Sequence, residues 1–200
     1  RQRVAVNDMV RAATDMLHYS LRSHGIELEL ALAEQLPDVL ADGDQIGQIV
    51  LNLLVNAQQA LADGHGPRRV RVATGVDTAA EPGVWLEVSD TGPGISPDLT
   101  ARIFEPFFTT KPDGLGTGMG LAVSRSLARE HGGELALIPA TTPSGACFRL
   151  SLPLVTADHP ATIPAPLADL DAPHLLRVLV VDDEPELTDL MRDMLEGAGY

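Results

Sequence analysis

Four amide side chains, Gln48, Asn52, Asn56 and Gln59, follow one another at steps of four, four and three along DQIGQIVLNLLVNAQQAL. That spacing puts all four on one face of a helix. The helix is otherwise apolar almost all round, and a buried amide left without a partner costs about 1–3 kcal/mol. One such amide would simply bond to neighbouring backbone; a ladder of them suits a cleft holding a polar ligand. A second group, DTGPGI (90–95), follows directly on VWLEVS, so a carboxylate, Asp90, ends a strand and enters a turn where Gly92 and Gly94 let a flat ligand approach the backbone. Asp90 could accept a hydrogen bond from an exocyclic amine, or could merely close an Asx turn. A third group sets glycine at every second position, Gly114, Gly116, Gly118 and Gly120, just before a helix. Backbone N–H groups freed there, with a helix dipole behind them, form a phosphate cradle; a flexible surface loop is the plainer alternative. No G-K-[ST] follows, which excludes a Walker loop, and loop rather than strand precedes, which excludes a Rossmann turn. Phe104, Phe107 and Phe108, three of the four phenylalanines, stand just upstream, where they could anchor the hinge of a glycine lid that closes over a nucleotide. Lys111 could reach a phosphate oxygen or stand solvated.

These groups need elements to hold them. Met9, Val10, Ala13, Met16, Leu17 and Leu21 recur at helical spacing over 7–23 behind Asn7 as a cap. IELELAL (26–32) alternates as a strand, VLA (39–41) is a short second one, and the amide-bearing helix runs over 44–61. RRVRVATGV (68–76) and VWLEVS (84–89) read as a hairpin-like pair. A helix over 119–130 is closed by His131-Gly132-Gly133, and strands follow at 134–138 and 146–152. A mixed sheet covered by helices on one face, a two-layer α/β sandwich, is the expected fold class. Residues 154–175 are rich in Ala, Pro and Asp without a period and read as a linker between a domain over 1–153 and a βα fragment over 176–200.

The 200 residues hold 44% hydrophobic types, enough for a buried core. Fourteen Lys and Arg stand against 28 Asp and Glu, a formal charge of −14, which argues against a general nucleic-acid binder. No apolar run approaches the roughly 18–20 residues that cross a bilayer, and RQRVAVNDMV lacks a starting Met and a signal core, so the chain reads as a soluble, cytoplasmic piece of a longer protein that could itself be membrane-anchored. The single Cys147 excludes an internal disulfide and a cysteine-cluster metal site and suits a small core position.

Taken in order, N-L-L-V-N-A, D-T-G-P-G-I, F-E-P-F-F and G-L-G-T-G-M-G resemble the N, G1, F and G2 boxes of the sensor histidine kinase ATP-binding domain, a branch of the superfamily that also holds gyrase, Hsp90 and MutL. The resemblance covers about residues 1–153 and implies the Bergerat α/β sandwich. It implies ATP and Mg²⁺ as ligands, with Asp90 bonding the adenine amino group, Asn56 holding Mg²⁺ through its side-chain oxygen, and the backbone of Gly116 to Gly120 contacting the phosphates. The nucleotide-binding set it implies is Asn56, Gln59, Asp90, Gly92, Gly94, Ile95, Phe104, Lys111, Gly114, Gly116, Thr117, Gly118, Met119, Gly120 and Leu121; the catalytic pair is Asn52 and Asn56. Hydrolysing relatives tend to carry a carboxylate at the place of Asn52, and an amide cannot act as that base, so transfer to a protein acceptor is favoured over hydrolysis. Where the family often has a hydroxyl residue after the glycine that matches Gly145, this chain has Ala146-Cys147. That departure puts in doubt any water-bridged contact from the last strand to adenine.

None of the six histidines, His18, His24, His65, His131, His159 and His174, fits the family's acceptor pattern; the acceptor is expected on an upstream dimerisation and phosphoacceptor helical domain. The tail RVLVVDDEPEL resembles the start of a response-regulator receiver domain, which implies Asp182 and Asp183 as part of a Mg²⁺ site whose phosphoacceptor Asp would come later. The implied whole is a hybrid sensor histidine kinase, with a receiver domain or response regulator as partner. Two other functions remain open here, an ATPase of the same superfamily and a nucleotide-responsive interaction module without transfer activity.

Overall fold

The computed structural model describes residues 1–62, 66–77, 82–110, 117–139 and 145–154. They belong to one compact unit, Arg1–Thr156. In chain order the elements are β1 (Gln2–Val4), α1 (Val6–Ser23), β2 (Glu27–Ala31), β3 (Val39–Ala41), α2 (Gly43–Ala62), β4 (Arg69–Asp77), β5 (Gly83–Asp90), α3 (Gly120–Glu130), β6 (Glu134–Ile138) and β7 (Cys147–Pro153). Five strands form a mixed sheet in the order β2-β4-β5-β7-β6, and β1 pairs with β3 in a separate two-stranded sheet. β2 lies parallel to β4, with α2 in the crossover between them, and the other pairs are antiparallel. This is the expected α/β sandwich.

Strand alternation sets the layers. In β5, Val84, Leu86, Val88 and Asp90 are buried while Gly83, Trp85, Glu87 and Ser89 are less so, as a sheet with one covered face requires. The covered face meets Ile46, Ile49, Val50, Leu53, Leu54, Ala57 and Leu61 of α2, together with Val10 and Leu21 of α1 and Ala128 of α3. The other face carries ion pairs in register, Glu27 with Arg69 at 3.1 Å and Glu29 with Arg71 at 3.2 Å. The β4–β5 pair forms as expected, from Val70↔Asp90 to Asp77↔Gly83, and that register carries Asp90 to the strand end beside α2.

One helix end differs from the sequence expectation. Asn7 does not cap α1: Ala5 occupies that place, in an extended conformation and with no side-chain bond. Asn7 instead donates to the Ala33 carbonyl (2.8 Å) and accepts from Thr74 Oγ1 (2.8 Å), tying the segment after β2 to β4. The cap of α2 is Asp42, whose Oδ1 accepts the N–H of Asp44 (3.0 Å) and Gln45 (3.3 Å). The stop of α3 is as expected: Gly132 sits at φ +72 and the Gly133 N–H donates back to the Ala128 carbonyl at 2.9 Å. His131 does more than end the helix. Buried, it donates from Nδ1 to the Leu127 carbonyl (2.8 Å) and accepts the Asp42 N–H at Nε2 (3.0 Å), joining the end of α3 to the start of α2. β1, unanticipated from local pattern, pairs with β3 over Gln2↔Ala41 to Val4↔Val39.

Candidate functional site

A cleft of about 1300 Å³ opens between α2, the end of β5, the turn that follows it and the start of α3. Asn52, Asn56 and Gln59 of α2 line it, with Asp90, Gly92, Gly94 and Ile95 facing them and Thr117, Gly118, Gly120 and Leu121 at one end. Leu53, Val88, Leu99, Ile103, Phe108 and Phe148 supply an apolar wall. A largely apolar cleft with a few polar groups converging in it is a small-molecule site. Three of the four amides of the helix stripe therefore reach one space; Gln48, nearest the start of α2, is exposed and is not among the lining residues.

Asp90 is the buried charge of this cleft, only 5% exposed. Its Oδ1 accepts the N–H of Gly92 at 2.8 Å and of Ala146 at 3.3 Å. Burial pushes its carboxyl above the ordinary range, and the two N–H groups pull back against that shift. The Asx bond is made, and the same carboxylate lines the cleft. The backbone comes close because side chains are missing where they would collide. A Cβ on Gly92 would stand 2.8 Å from Asp90 Oδ1 and 3.2 Å from the Ala60 carbonyl, and one on Gly145, at φ +120, would stand 2.0 Å from the Asp90 carbonyl. Ala146, flagged from the sequence only as a departure, contributes through its backbone N–H, which needs no hydroxyl.

The aromatic segment departs from its expected role in part. Phe104 packs edge-on against Phe148, with centroids 6.4 Å apart, under the Arg125 guanidinium; it is not among the residues lining the cleft. Phe108, which sequence reading used only as an anchor, does line it, with the Arg102 guanidinium 4.4 Å from its ring centroid. Phe107 is not buried as an anchor would be: it is 75% exposed and holds φ 67. The coupling of the knot to the glycines is nonetheless direct. Gly118, at φ +66, lies against the Phe107 backbone so closely that a Cβ would meet its carbonyl carbon at 2.4 Å. Gly120 lies as closely on Asn52, whose Oδ1 would be 2.4 Å from a Cβ. These two glycines serve close packing, not only freedom of the backbone. Met119 is the residue before α3 and is not among the lining residues. Lys111, Gly114, Gly116, Asp182 and Asp183 lie outside the described residues.

Residues 41–156 match the family described as histidine kinase-, DNA gyrase B- and HSP90-like ATPase. The chain belongs to that family. The relatives of this ATPase-family chain include the two-component sensor PprA of Pseudomonas aeruginosa, 46% identical over 143 residues, which are 71% of this chain and 15% of PprA. Among solved structures, full-length ShkA in complex with AMPPNP is 32% identical with a TM-score of 0.66, covering 78% of this chain and 31% of ShkA. The nucleotide-free catalytic domain of the histidine kinase ThkA is 26% identical with a TM-score of 0.63, covering 76% of this chain and 94% of that domain. The chain therefore spans a small part of PprA and ShkA and nearly the whole of a kinase catalytic domain. Among the described residues of this ATPase-family chain, no helix is long and apolar enough to cross a membrane.

Proposed function

We propose that residues 1–153 form the catalytic ATP-binding domain of a hybrid sensor histidine kinase, which presents the γ-phosphate of ATP to a histidine on an upstream helical domain. The observation that carries this reading is Asp90: a carboxylate kept buried at the cleft end, with Oδ1 held by two backbone donors, leaves Oδ2 to accept from the exocyclic amine of adenine. The apolar wall takes the base, and the glycine-backed start of α3 takes the phosphates with its N-terminal dipole. ShkA, whose fold this chain shares, was solved with an ATP analogue.

The amide oxygens on the cleft side of α2 suit a hard cation, because Mg²⁺ takes oxygen ligands and usually has few from protein. Asn56 would hold it through its side-chain oxygen, and when bound the ion would neutralise charge on the transferring phosphate. The chain's own part is to bind, orient and exclude water. An amide at Asn52 cannot serve as the base that hydrolysis needs, which favours transfer. Residues 154–175 are then a linker and 176–200 the start of a receiver domain, with Asp182 and Asp183 in its acidic site. The domain works in the cytoplasm, where ATP is.

Calorimetric titration with a non-hydrolysable ATP analogue, with and without Mg²⁺, tests the site. Asp90→Ala should weaken binding about 10- to 150-fold whether or not metal is present, the loss of one charged hydrogen bond. Asn56→Ala should instead remove most of the Mg²⁺ dependence. Supplying a histidine-bearing helical domain with labelled ATP tests the activity. Stoichiometric phosphohistidine supports the kinase; sustained hydrolysis without it would make the domain an ATPase, and binding with neither would make it a nucleotide-responsive interaction module.

A further inference from the structure

Asn52 does not stand free at the phosphate end of the cleft. Its Nδ2 donates to Ser124 Oγ at 2.9 Å across the seam between α2 and α3. Ser124 is 2% exposed and lies one helical turn after Gly120. Because Nδ2 is taken by Ser124, Oδ1 is the end of the amide that faces Gly120, where it fills the space of a Cβ. Both Asn52 and Gly120 line the cleft.

We propose that Ser124 is a positioning residue that acts through Asn52: it fixes the amide so that an acceptor oxygen, not a donor nitrogen, is presented where the phosphates and the incoming histidine meet. This deepens the kinase reading and rests on it. The chemistry follows from the two ends of an amide. Turned nitrogen-first, Asn52 would donate to a phosphate oxygen and hold ATP more firmly in its ground state, which does nothing for the transfer step. Turned oxygen-first, it repels phosphate oxygen and can accept the N–H of the attacking imidazole, orienting the ring for in-line attack. Gly120 is required by the same arrangement, since any side chain there would displace the amide. Without the Ser124 hydroxyl, a part-buried Nδ2 loses its partner, and turning toward the phosphates is a way to find another.

The test uses Ser124→Ala, Ser124→Thr, Asn52→Ala and the double variant Asn52→Ala/Ser124→Ala. In the nucleotide-free chain, the side-chain amide resonances of Asn52, assigned by their loss in Asn52→Ala, should show slowed exchange in wild type and in Ser124→Thr and lose it in Ser124→Ala. In single-turnover transfer to a supplied helical domain, Ser124→Ala should slow phosphorylation about tenfold while binding the ATP analogue as tightly as wild type or more so. Ser124→Thr, which keeps the hydroxyl, should restore the rate, and the double variant should be no slower than Asn52→Ala alone. Unchanged amide exchange in Ser124→Ala overturns the proposal, as does a loss of rate that adds to that of Asn52→Ala or that runs parallel to lost affinity and lower melting temperature. A wild type that binds the analogue but transfers nothing sinks the kinase reading and the transfer role together, while the amide exchange still decides whether Ser124 holds Asn52.

Discussion

Asp90 is held between a cost and its compensation: burial disfavours the carboxylate, and two backbone donors stabilise it. A carboxyl whose folded pKa is raised contributes stability that is fully present below its ordinary value of 3.8 and is lost as pH rises through the folded value. At neutral pH the ionised group therefore lowers the stability of the nucleotide-free domain. Asp90→Asn keeps an Oδ1 to accept from Gly92 and Ala146 but has no charge to bury. The variant should melt at a higher temperature than wild type at pH 7, and the gap should close as pH falls into the carboxylate range. In the same protein nucleotide binding should weaken by about 10- to 100-fold, because Asn would turn a donor toward the donor amine of adenine. Thermal melts across pH, paired with titrations, would separate the two effects; a variant both less stable and weaker in binding would mean that Asp90 is structural. Cys147, close by in β7, is the contrasting case. Burial raises its thiol to about 11 and keeps it inert, the small core residue that the sequence suggested.

At the level of elements, the ends of α2 and α3 decide the shape of the cleft. Gly118→Ala would place a side chain at φ +66, where a non-glycine residue costs about 1–2 kcal/mol, and 2.4 Å from the Phe107 backbone. The segment around Phe107 would have to move, so nucleotide affinity should fall at least tenfold and stability by about 1–2 kcal/mol. Gly47, inside α2 with open space where its Cβ would be, predicts the reverse: Gly47→Ala should raise stability by about 1 kcal/mol and leave binding unchanged. Comparing the two variants by urea melts and titration would show whether the glycines near α3 act by packing. The contrast also marks what could be read beforehand. Period and alternation reveal which face of an element is apolar, so α2 with its amides, the β4–β5 pair and the fold class were legible. What they touch is not encoded locally. β1 is three residues that become a strand only by meeting Val39–Ala41, and Asn7 looks like a cap until Thr74, 67 residues away, claims its oxygen. Phe104, Phe107 and Phe108 are one residue type within five positions, yet only Phe108 lines the cleft, while Phe104 packs on Phe148 and Phe107 stands exposed at a positive φ. Nothing in the sequence singles out Ser124 beyond its place one turn after a glycine.

Over the whole chain, the core closes on itself before the tail begins. Val4 of β1 and Leu152 of β7 belong to one buried cluster, β7 pairs to its end with the start of β5 at Gly83↔Pro153, and the Leu154 N–H donates to the Pro82 carbonyl at 3.1 Å. A chain ending at Leu154 thus keeps every described strand pair and should unfold in one cooperative transition with the midpoint of the full chain. Its charge would differ sharply. Residues 155–200 hold ten acidic and two basic residues, so their removal leaves 18 acidic and 12 basic ones and takes the formal charge from −14 to −6. On the proposed reading, an anionic nucleotide approaching the full chain would meet that repulsion at long range, where salt screens it, and would meet Asp90 and the glycine backbone only in the cleft, where salt does little. At about 0.15 M salt, with a Debye length of about 8 Å, the shortened chain should bind the ATP analogue with the affinity of the full one. At about 0.01 M salt it should bind faster and more tightly, and stopped-flow mixing at the two salt concentrations would read the difference. Equal rates at low salt would show that the acid excess of the tail is not felt at the cleft. Weaker binding by the shortened chain at either salt would mean that residues beyond Leu154 help to form the site, and the boundary proposed at Pro153 would have to move.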